Sequence, residues 1–220
     1  MKEIRSALVV GATGLVGTEL VKLLCNDEKY DMVKVIVRRP LTYSHPKLVV
    51  LVREFEHITQ EDVGEVKDVF CCLGTTIKKA GSREAFKKVD FTYPQSIAAL
   101  AKKQKVEHFL IISAMGADEN SSFFYSRVKG LIEKELIAMD FPQLSILRPS
   151  LLTGERNEFR LGETFGARVM KLMNPILFGP LRKYRSIPGK QVAFAMKCIA
   201  LKSNQRKVTL YTSDKIEAFK

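Results

Sequence analysis

A tyrosine, a lysine and a serine are spaced in a way that suits proton transfer to a substrate. Tyr125 and Lys129 are four residues apart in a stretch with helical apolar periodicity, which places both side chains on one helix face. A phenol ionises near pH ~10 in water, so it needs a nearby cation to act as an acid or base at neutral pH. Lys129 could supply that cation, and Ser113 could orient a substrate oxygen. Together they predict general acid–base chemistry, although a Tyr-x-x-x-Lys pair alone is also a common structural feature of helices.

The second feature that carries chemistry is a glycine-rich turn near the amino terminus. Gly11, Gly14 and Gly17 follow the apolar run of residues 7–10 and precede a helical pattern that begins near Glu19. Residues without a Cβ let the chain turn sharply and approach a pyrophosphate closely, and the amides at a helix start favour its negative charge. The order strand, glycine turn, helix predicts a dinucleotide site. The alternative is a turn that binds no ligand.

Two arginines, Arg38 and Arg39, follow the second predicted strand. In dinucleotide sites a carboxylate at this position selects NAD by binding the ribose hydroxyl, whereas arginine accommodates the 2′-phosphate of NADP. The sequence therefore favours NADP(H), with the alternative that two solvated basic residues cap a strand in a basic chain.

The elements that must position these residues alternate between strands and helices. Strands are predicted over residues 7–10, 33–37, 47–52, 68–74, 108–112, 144–147 and 208–211. Helices are predicted from Glu19, over 82–103 with an interruption near Pro94, from Tyr125, and over 190–201. This pattern predicts an α/β protein with a Rossmann-like doubly wound parallel sheet and helices on both faces. The strand ends would bring Leu73, Gly74 and Ser113 to one edge of the sheet.

Length and composition fit a single NAD(P)-binding domain over residues 1–220. Residues 151–189 predict a small C-terminal cap over a substrate, apolar inside and basic outside, although plain core under a basic surface is the alternative. No run approaches the ~20 apolar residues that a membrane span needs, and the amino terminus lacks a secretory signal pattern. We therefore expect a cytoplasmic protein with no membrane partner.

The four cysteines and the net charge of +12 bear on partners. Cys25, Cys71, Cys72 and Cys198 have no metal-binding spacing, so reduced thiols and no metal are expected. The positive charge is spread along the chain without a nucleic-acid motif, so a small-molecule substrate is expected rather than a nucleic acid. An apolar or anionic carbonyl compound would suit the cap. The substrate's identity and the oligomeric state stay open.

These motifs resemble the atypical branch of the short-chain dehydrogenase/reductase superfamily that includes the Tat-interacting oxidoreductase-like proteins and their small bacterial NAD(P)H-binding relatives. The resemblance rests on the glycine turn, the two arginines, and the blocks at residues 72–76, 89–90, 112–118, 125–130 and 148–149. It implies that Tyr125 is the proton donor. It also implies NADPH contacts at Thr13, Gly14, Leu15, Val16, Arg38, Arg39, Leu73, Gly74, Tyr125 and Lys129, and cofactor proximity for Leu152 and Arg160.

Two functions are compatible with these residues. The first is an NADPH-dependent oxidoreductase that reduces a carbonyl or similar unsaturated small molecule, with Tyr125 as proton donor. The second is a non-catalytic NADP(H)-binding redox sensor or regulatory scaffold, because the branch contains regulators as well as catalysts. The intact set of Ser113, Tyr125 and Lys129 favours the enzyme, since a sensor gains nothing from an acid–base tyrosine.

Overall fold

The main feature of the fold is a seven-stranded sheet in which every strand pair is parallel, in the order β3-β2-β1-β4-β5-β6-β9. It is seen in a computed structural model that describes residues 4–154, 182, 184–202 and 206–220. The strands are β1 (Arg5–Val10), β2 (Tyr30–Val37), β3 (Leu48–Val52), β4 (Asp68–Cys71), β5 (His108–Ile112), β6 (Gln143–Arg148) and β9 (Val208–Thr212). Two short strands, β7 (Leu152–Thr153) and β8 (Ile187–Pro188), pair separately.

Helices connect the strands and cover both faces of the sheet. The described helices are α1 (Leu15–Cys25), α2 (Gln60–Val63), α3 (Ile77–Ala80), α4 (Arg83–Lys87), α5 (Tyr93–Lys103), α6 (Phe124–Ala138), α7 (Gly189–Leu201) and α8 (Ser213–Glu217). On one face α1 and α7 pack together, with Leu20 and Val192 fully buried. On the other face α5 and α6 bury Ile97 and Ile132. The predicted Rossmann-like doubly wound sheet with helices on both faces is confirmed.

Some predicted boundaries are wrong in ways that matter for the site. Strand β4 ends at Cys71 rather than at Gly74. Beyond it the chain leaves the sheet, and the amide of Thr75 donates to the Asp90 carboxylate (2.9 Å). The break predicted near Pro94 lies just before it, as a π-helical turn over Lys88–Thr92. Pro94 itself sits in the first turn of α5, where a missing N–H costs little.

The amino ends of the central strands are fixed by a buried polar network far from the predicted site. Arg5 donates two hydrogen bonds of 2.8 Å to Asp68, and the Tyr30 hydroxyl donates a third of 2.7 Å. Next to them, a ring nitrogen of His108 lies 2.8 Å from the Ser145 hydroxyl. Burial, followed by the charge of Arg5, lowers the pKa of His108 to about 4. These groups tie β1, β2, β4, β5 and β6 together.

Three further predictions concern the cysteines, membrane-spanning helices and the cap. All four cysteines are free thiols, with Cys25 and Cys71 buried. None of the described helices has the length and apolar character needed to span a bilayer. Most of the predicted cap falls on residues 155–181 and 183, which lie outside the described part, so the cap and the single-domain organisation stay predictions.

Candidate functional site

The site lies where the chain reverses its direction across the sheet. From β1 the chain builds β2 and β3 on one side, and it then returns to place β4 on the other side of β1. Val10 pairs with Cys71 at the carboxyl ends of these two strands. Loops leaving such neighbouring strands diverge, which opens a crevice where open α/β sheets bind ligands. The glycine turn and the loop at residues 72–76 form the two walls of this crevice.

The glycine turn requires glycine at two positions for different reasons. Gly11 has φ +80°, and a Cβ there would lie 2.5 Å from the Cys72 carbonyl carbon. A Cβ on Gly17 would lie 2.2 Å from the Gly11 carbonyl oxygen, so this glycine lets α1 pack tightly against the turn. Both contacts involve backbone atoms, which cannot rotate away. The sequence therefore specifies a tight strand-to-helix passage.

The start of α1 fits the diphosphate of a dinucleotide. Gly14 is the residue before the helix and offers no side-chain cap, and no acidic residue lies in the first turn. The first amides of α1 are therefore available to an anion, in a turn where Thr13 and Gly14 are exposed. Val16 is only 4% exposed, so its backbone rather than its side chain would meet a ligand. Leu15 instead packs its side chain beside Gly154 and Gly189.

Basic side chains gather at the ends of β2 and β3. Arg38 and Arg39 follow β2 and are exposed. The amide of Arg53 donates to the Val37 carbonyl oxygen (2.9 Å), which places Arg53 beside Arg38 at this edge. The Arg53 side chain is about half exposed and lies 3.3 Å from Asp62. Arg53 is not among the site residues predicted from the sequence, although its place directly after the third strand is a signal that could have identified it.

The opposite wall contains a buried ion pair between Lys129, a predicted site residue, and Asp90, which was not predicted as one. Lys129 Nζ lies 2.8 Å from Asp90 Oδ1, and the two side chains are 5% and 0% exposed. Lys129 also donates to the Ile112 carbonyl oxygen (3.4 Å). A Cβ on Gly74 would lie 3.6 Å from Asp90 Oδ1 and 4.0 Å from Lys129 Nζ. The pair thus lies directly behind Gly74, a predicted cofactor contact, whereas Leu73 is buried.

Asp90 reaches this position because of a local irregularity in the helix. It lies in the π-helical turn over Lys88–Thr92, a conformation that is rare and occurs frequently at functional sites. The pKa of Lys129 is lowered by burial but raised more strongly by its charged neighbours, chiefly Asp90, so that on balance it is raised. The ammonium form therefore persists although the side chain is buried. The sequence signals for Asp90 were its place in the block at residues 89–90 of the family resemblance and an acid within an otherwise helical stretch.

Tyr125 lies at the start of α6, one turn before Lys129, as the four-residue spacing predicted. Its side chain is 37% exposed, and its ring packs 5.5 Å from the buried ring of Phe86. The side chain is therefore partly accessible to solvent while its ring is held by an aromatic contact.

Ser113 differs from the other two predicted catalytic residues. It follows β5 at the expected edge, but it is 4% exposed and its hydroxyl donates a short hydrogen bond to Glu133. Glu133 also accepts from Arg148 Nε at 3.0 and 3.1 Å. The one hydroxyl proton of Ser113 is thus used inside the protein, and only its lone pairs remain for a substrate. Glu133 was missed, although it is four residues after Lys129 on the same helix.

The remaining predicted site residues lie towards the carboxyl end. Leu152 pairs with Ile187 and packs against the core between α1 and α7. Arg160, which was predicted to lie near the cofactor, falls outside the described residues. Among the residues that are described, no group of three or more His, Cys, Asp or Glu side chains could hold a metal ion.

Comparison with known protein sequences gives a consistent result. The sequence profile of a family described as NAD(P)H-binding matches residues 11–164. Protein HTATIP2 from Rattus norvegicus is 37% identical over 169 residues, which are 72% of this chain and 67% of that protein. The mitochondrial protein FMP52 from Eremothecium gossypii is 34% identical over 215 residues, 96% of this chain and 95% of that protein. These similarities confirm the resemblance to the Tat-interacting oxidoreductase-like branch.

The same relatives correct the predicted location. FMP52 from Debaryomyces hansenii, which is 35% identical over 70% of this chain and 69% of that protein, is also named mitochondrial. Further FMP52 proteins carry the same designation. The expectation of a cytoplasmic protein is therefore wrong. It rested on the lack of a secretory pattern, which does not exclude an organelle.

Solved structures share the fold at low sequence identity. The WbmH enzyme of Bordetella bronchiseptica in complex with NAD⁺ superimposes with a TM-score of 0.73 at 13% identity, covering 96% of this chain and 76% of that one. MoeE5 in complex with UDP-glucose and NAD gives a TM-score of 0.71 at 14% identity, covering 96% and 79%. At this identity the likeness concerns the fold alone.

Proposed function

Because the chain belongs to the NAD(P)H-binding family, we propose that it is an NADPH-dependent oxidoreductase that reduces a carbonyl or similar unsaturated small molecule. The observation that carries the proposal is the convergence of three features on one crevice: the glycine turn, the Gly74 loop, and the Lys129 ammonium behind that loop with Tyr125 one helical turn away. A protein that only binds a dinucleotide would not need the Lys129 ammonium and Tyr125 beside the binding site.

The residues that would hold the cofactor follow from the geometry. The first amides of α1 and the glycine turn fit a diphosphate, since a Cβ at Gly11 or Gly17 would clash with backbone. Arg38 and Arg39 are exposed and suit a 2′-phosphate, because guanidinium groups bind phosphate in a bidentate manner. This basic edge supports NADP(H) over NAD(H). When bound, a reduced nicotinamide supplies the hydride.

The protein's own residues supply the proton and the orientation. Tyr125, accessible at the start of α6, would donate a proton to the developing oxygen anion of the substrate. Lys129 would favour the tyrosinate left behind, because its ammonium remains charged although it is buried. Ser113 contributes differently from our first expectation. With its proton held by Glu133, it can accept a hydrogen bond from a substrate hydroxyl but cannot donate one to a carbonyl.

One observation favours the second candidate, a non-catalytic NADP(H)-binding sensor. Of the three predicted catalytic groups, Ser113 is turned towards the protein interior and satisfied by Glu133. A site with only one donor for a carbonyl oxygen would polarise it weakly. In a sensor the same arrangement would simply stabilise β5 and α6.

The first experiment measures cofactor binding, and the second measures turnover. The chain has no tryptophan, so binding is followed by the fluorescence of NADPH or NADH itself. We expect NADPH to bind more tightly, and Arg38→Asp to lose most of this preference because it replaces a cation with an anion beside the 2′-phosphate. Lys207→Asp, an exposed position just before β9 that is paired with Asp140, is the matched control. Equal affinity for the two cofactors in the unmodified protein contradicts the NADP(H) assignment.

Turnover separates the enzyme from the sensor. Aldehydes, ketones and quinones are screened for oxidation of bound NADPH by the unmodified protein and by Tyr125→Phe. We expect Tyr125→Phe to bind NADPH normally and to lose turnover at least ~100-fold, since only the acid–base group is removed. Full activity in Tyr125→Phe excludes the proposed proton donor, and binding without turnover of any compound favours the sensor.

We also infer a mitochondrial location, supported by the designation of the FMP52 relatives. Fractionation of cells that express the full chain with a carboxyl-terminal tag tests it. Recovery with a cytosolic marker rather than with a mitochondrial marker overturns the inference.

A further inference from the structure

The turn before α6 carries an exposed aromatic side chain on a firmly held backbone. Phe123, the residue just before this helix, is 76% exposed. Its amide donates to the Ser121 hydroxyl (3.2 Å), and its carbonyl oxygen accepts from the Arg127 amide (2.9 Å). The Arg127 side chain also donates to the Ser121 carbonyl oxygen (2.7 Å). The exposure of this phenylalanine therefore belongs to an ordered turn and not to a frayed helix end.

Two arginines flank the ring of the next residue, Phe124. The guanidinium carbon of Arg83 lies 5.3 Å from the centre of this ring, and that of Arg127 lies 6.0 Å from the same centre. A guanidinium that lies over a ring uses its face for the contact, so N–H donors at its edge stay available to an anion. Phe124 thus holds two cations beside the exposed side chain of Phe123.

Ion pairs do not balance this positive charge. Among the described residues, neither Arg83 nor Arg127 forms an ion pair with a carboxylate. Glu84, the residue after Arg83, is exposed and interacts with it electrostatically. Glu119, in the loop before α6, is paired with Lys134 instead (2.6 Å). The two guanidinium groups can therefore accept an anionic ligand without first breaking an ion pair.

These side chains are continuous with the candidate site. The buried ring of Phe86 lies 5.8 Å from the ring of Phe124 and 5.5 Å from the ring of Tyr125. Phe123 precedes Tyr125, the proposed proton donor, by two residues. A ligand bound at the start of α6 would therefore lie near the proposed acid–base group.

We propose that these side chains form a substrate subsite for an amphipathic anion, which is a carbonyl compound with an apolar body and a carboxylate, sulfonate or phosphate group. We call this subsite the α6 rim, and it consists of Arg83, Phe123, Phe124 and Arg127. The exposed ring of Phe123 covers the apolar body, and the guanidinium edges bind the anion. The inference rests on the proposed function, because it names the substrate class of the same site.

The charge of the α6 rim favours this ligand over other occupants. A purely apolar molecule would desolvate two guanidinium groups without giving them a partner, which is costly. A small inorganic anion would leave the ring of Phe123 in water. A second copy of this chain, related by a two-fold axis, would bring the same cations against each other, and like charges repel.

The first test uses two fluorescent probes that share their rings and differ in charge. Anilinonaphthalene sulfonate is an apolar anion, and phenylnaphthylamine lacks the sulfonate. The full chain is titrated with each probe, without cofactor, as the unmodified protein, as Arg83→Gln and as Phe123→Ser. Both positions are exposed, so the variants are expected to fold. The matched controls are Lys207→Gln, an exposed cation, and Ile137→Ser, an exposed apolar residue near the other end of α6.

In Arg83→Gln we expect the affinity for the anionic probe to fall roughly five- to tenfold, because a charge-assisted hydrogen bond is lost at a partly solvated site. The neutral probe should bind as before. Phe123→Ser should weaken both probes by a similar factor, because apolar contact area is lost. The two controls should bind both probes like the unmodified protein.

Two results overturn the proposal. The first is an unchanged affinity for the anionic probe in both Arg83→Gln and Phe123→Ser. The second is an unchanged affinity for both probes in Phe123→Ser together with a loss of self-association or of binding to phosphatidylglycerol vesicles. That result would assign the exposed ring to a second copy or to a lipid surface.

Turnover with NADPH separates this inference from the proposed function. We compare para-carboxybenzaldehyde with para-methylbenzaldehyde, which has a similar shape and no charge. The charged aldehyde should have the lower KM, and Arg83→Gln should raise that KM roughly five- to tenfold while kcat stays unchanged. Equal KM values for the two aldehydes, unaffected by Arg83→Gln, leave the oxidoreductase intact and contradict the α6 rim. Probe binding that depends on Arg83 and Phe123 in a protein that does not bind NADPH supports the α6 rim as an anion site and contradicts the oxidoreductase. The probe titrations decide the proposal even where neither aldehyde is reduced.

Discussion

The glycine turn offers a stringent test of the site because the chain contains a matched control for it. Gly11 and Gly81 have nearly the same φ, +80° and +86°. They differ in their surroundings. A Cβ on Gly81 would meet no heavy atom within 4 Å, whereas a Cβ on Gly11 would lie 2.5 Å from the Cys72 carbonyl carbon and 2.8 Å from the Leu73 amide nitrogen. Substituting alanine at each position separates the conformational cost from the steric cost.

The expected magnitudes follow from these contacts. A left-handed alanine costs roughly 1–2 kcal/mol, and this cost is common to both variants. The lower entropy of the unfolded chain with alanine also affects both equally and cancels in the comparison. Only Gly11→Ala must in addition displace the backbone after β4, which costs ~1–3 kcal/mol by analogy with overpacked cores. We therefore expect Gly11→Ala to be less stable than Gly81→Ala by about 2 kcal/mol.

The assay is thermal unfolding followed by circular dichroism, with NADPH binding as a second measurement. For a chain of this size, 1 kcal/mol corresponds to roughly 2–4 °C in Tm, so the two variants should differ by about 4–8 °C. Gly11→Ala should also weaken NADPH binding, whereas Gly81→Ala should not. Equal losses of stability in the two variants would refute the steric argument, since they would show that the turn can relax away from the loop at residues 72–76.

Two further predictions concern the buried polar groups. His108→Phe should flatten the dependence of stability on pH between about 6.5 and 4. In the folded protein the pKa of His108 is lowered to about 4, so only the unfolded chain binds a proton in this range, and stability falls as the pH falls, by ~3 kcal/mol in all. Urea unfolding at several pH values measures this, and an unchanged pH dependence in His108→Phe contradicts it. Glu133→Gln should destabilise the protein by about 1–3 kcal/mol, because it leaves the partly exposed guanidinium of Arg148 without its charged partner. Urea unfolding measures this loss of stability, with Glu119→Gln as the control because its ion pair with Lys134 lies at the surface. Equal losses of stability in the two variants would count against a structural role for Glu133.

The sequence alone determined the architecture and one wall of the site. Alternating strand and helix patterns specify a doubly wound sheet because apolar periodicity and crossover handedness leave few alternatives. The turn at Gly11 and Gly17 could be predicted because glycines at this spacing, between a strand and a helix, are typical of a dinucleotide-binding turn. The four-residue spacing of Tyr125 and Lys129 was sufficient to place them on one helix face. Each of these features is local in the chain.

Only the tertiary structure decided how distant polar groups pair. Asp90, on the π-helical turn over Lys88–Thr92, meets Lys129 of α6, which lies 39 residues later in the chain. Ser113 has the type and position of a group that binds substrate, yet its proton goes to Glu133, twenty residues later. Hydrogen bonds of this kind depend on how whole helices and strands pack against one another. The physical reason is that spacing along the chain fixes which face of an element a side chain occupies, whereas its partner is fixed only when that face is buried against another.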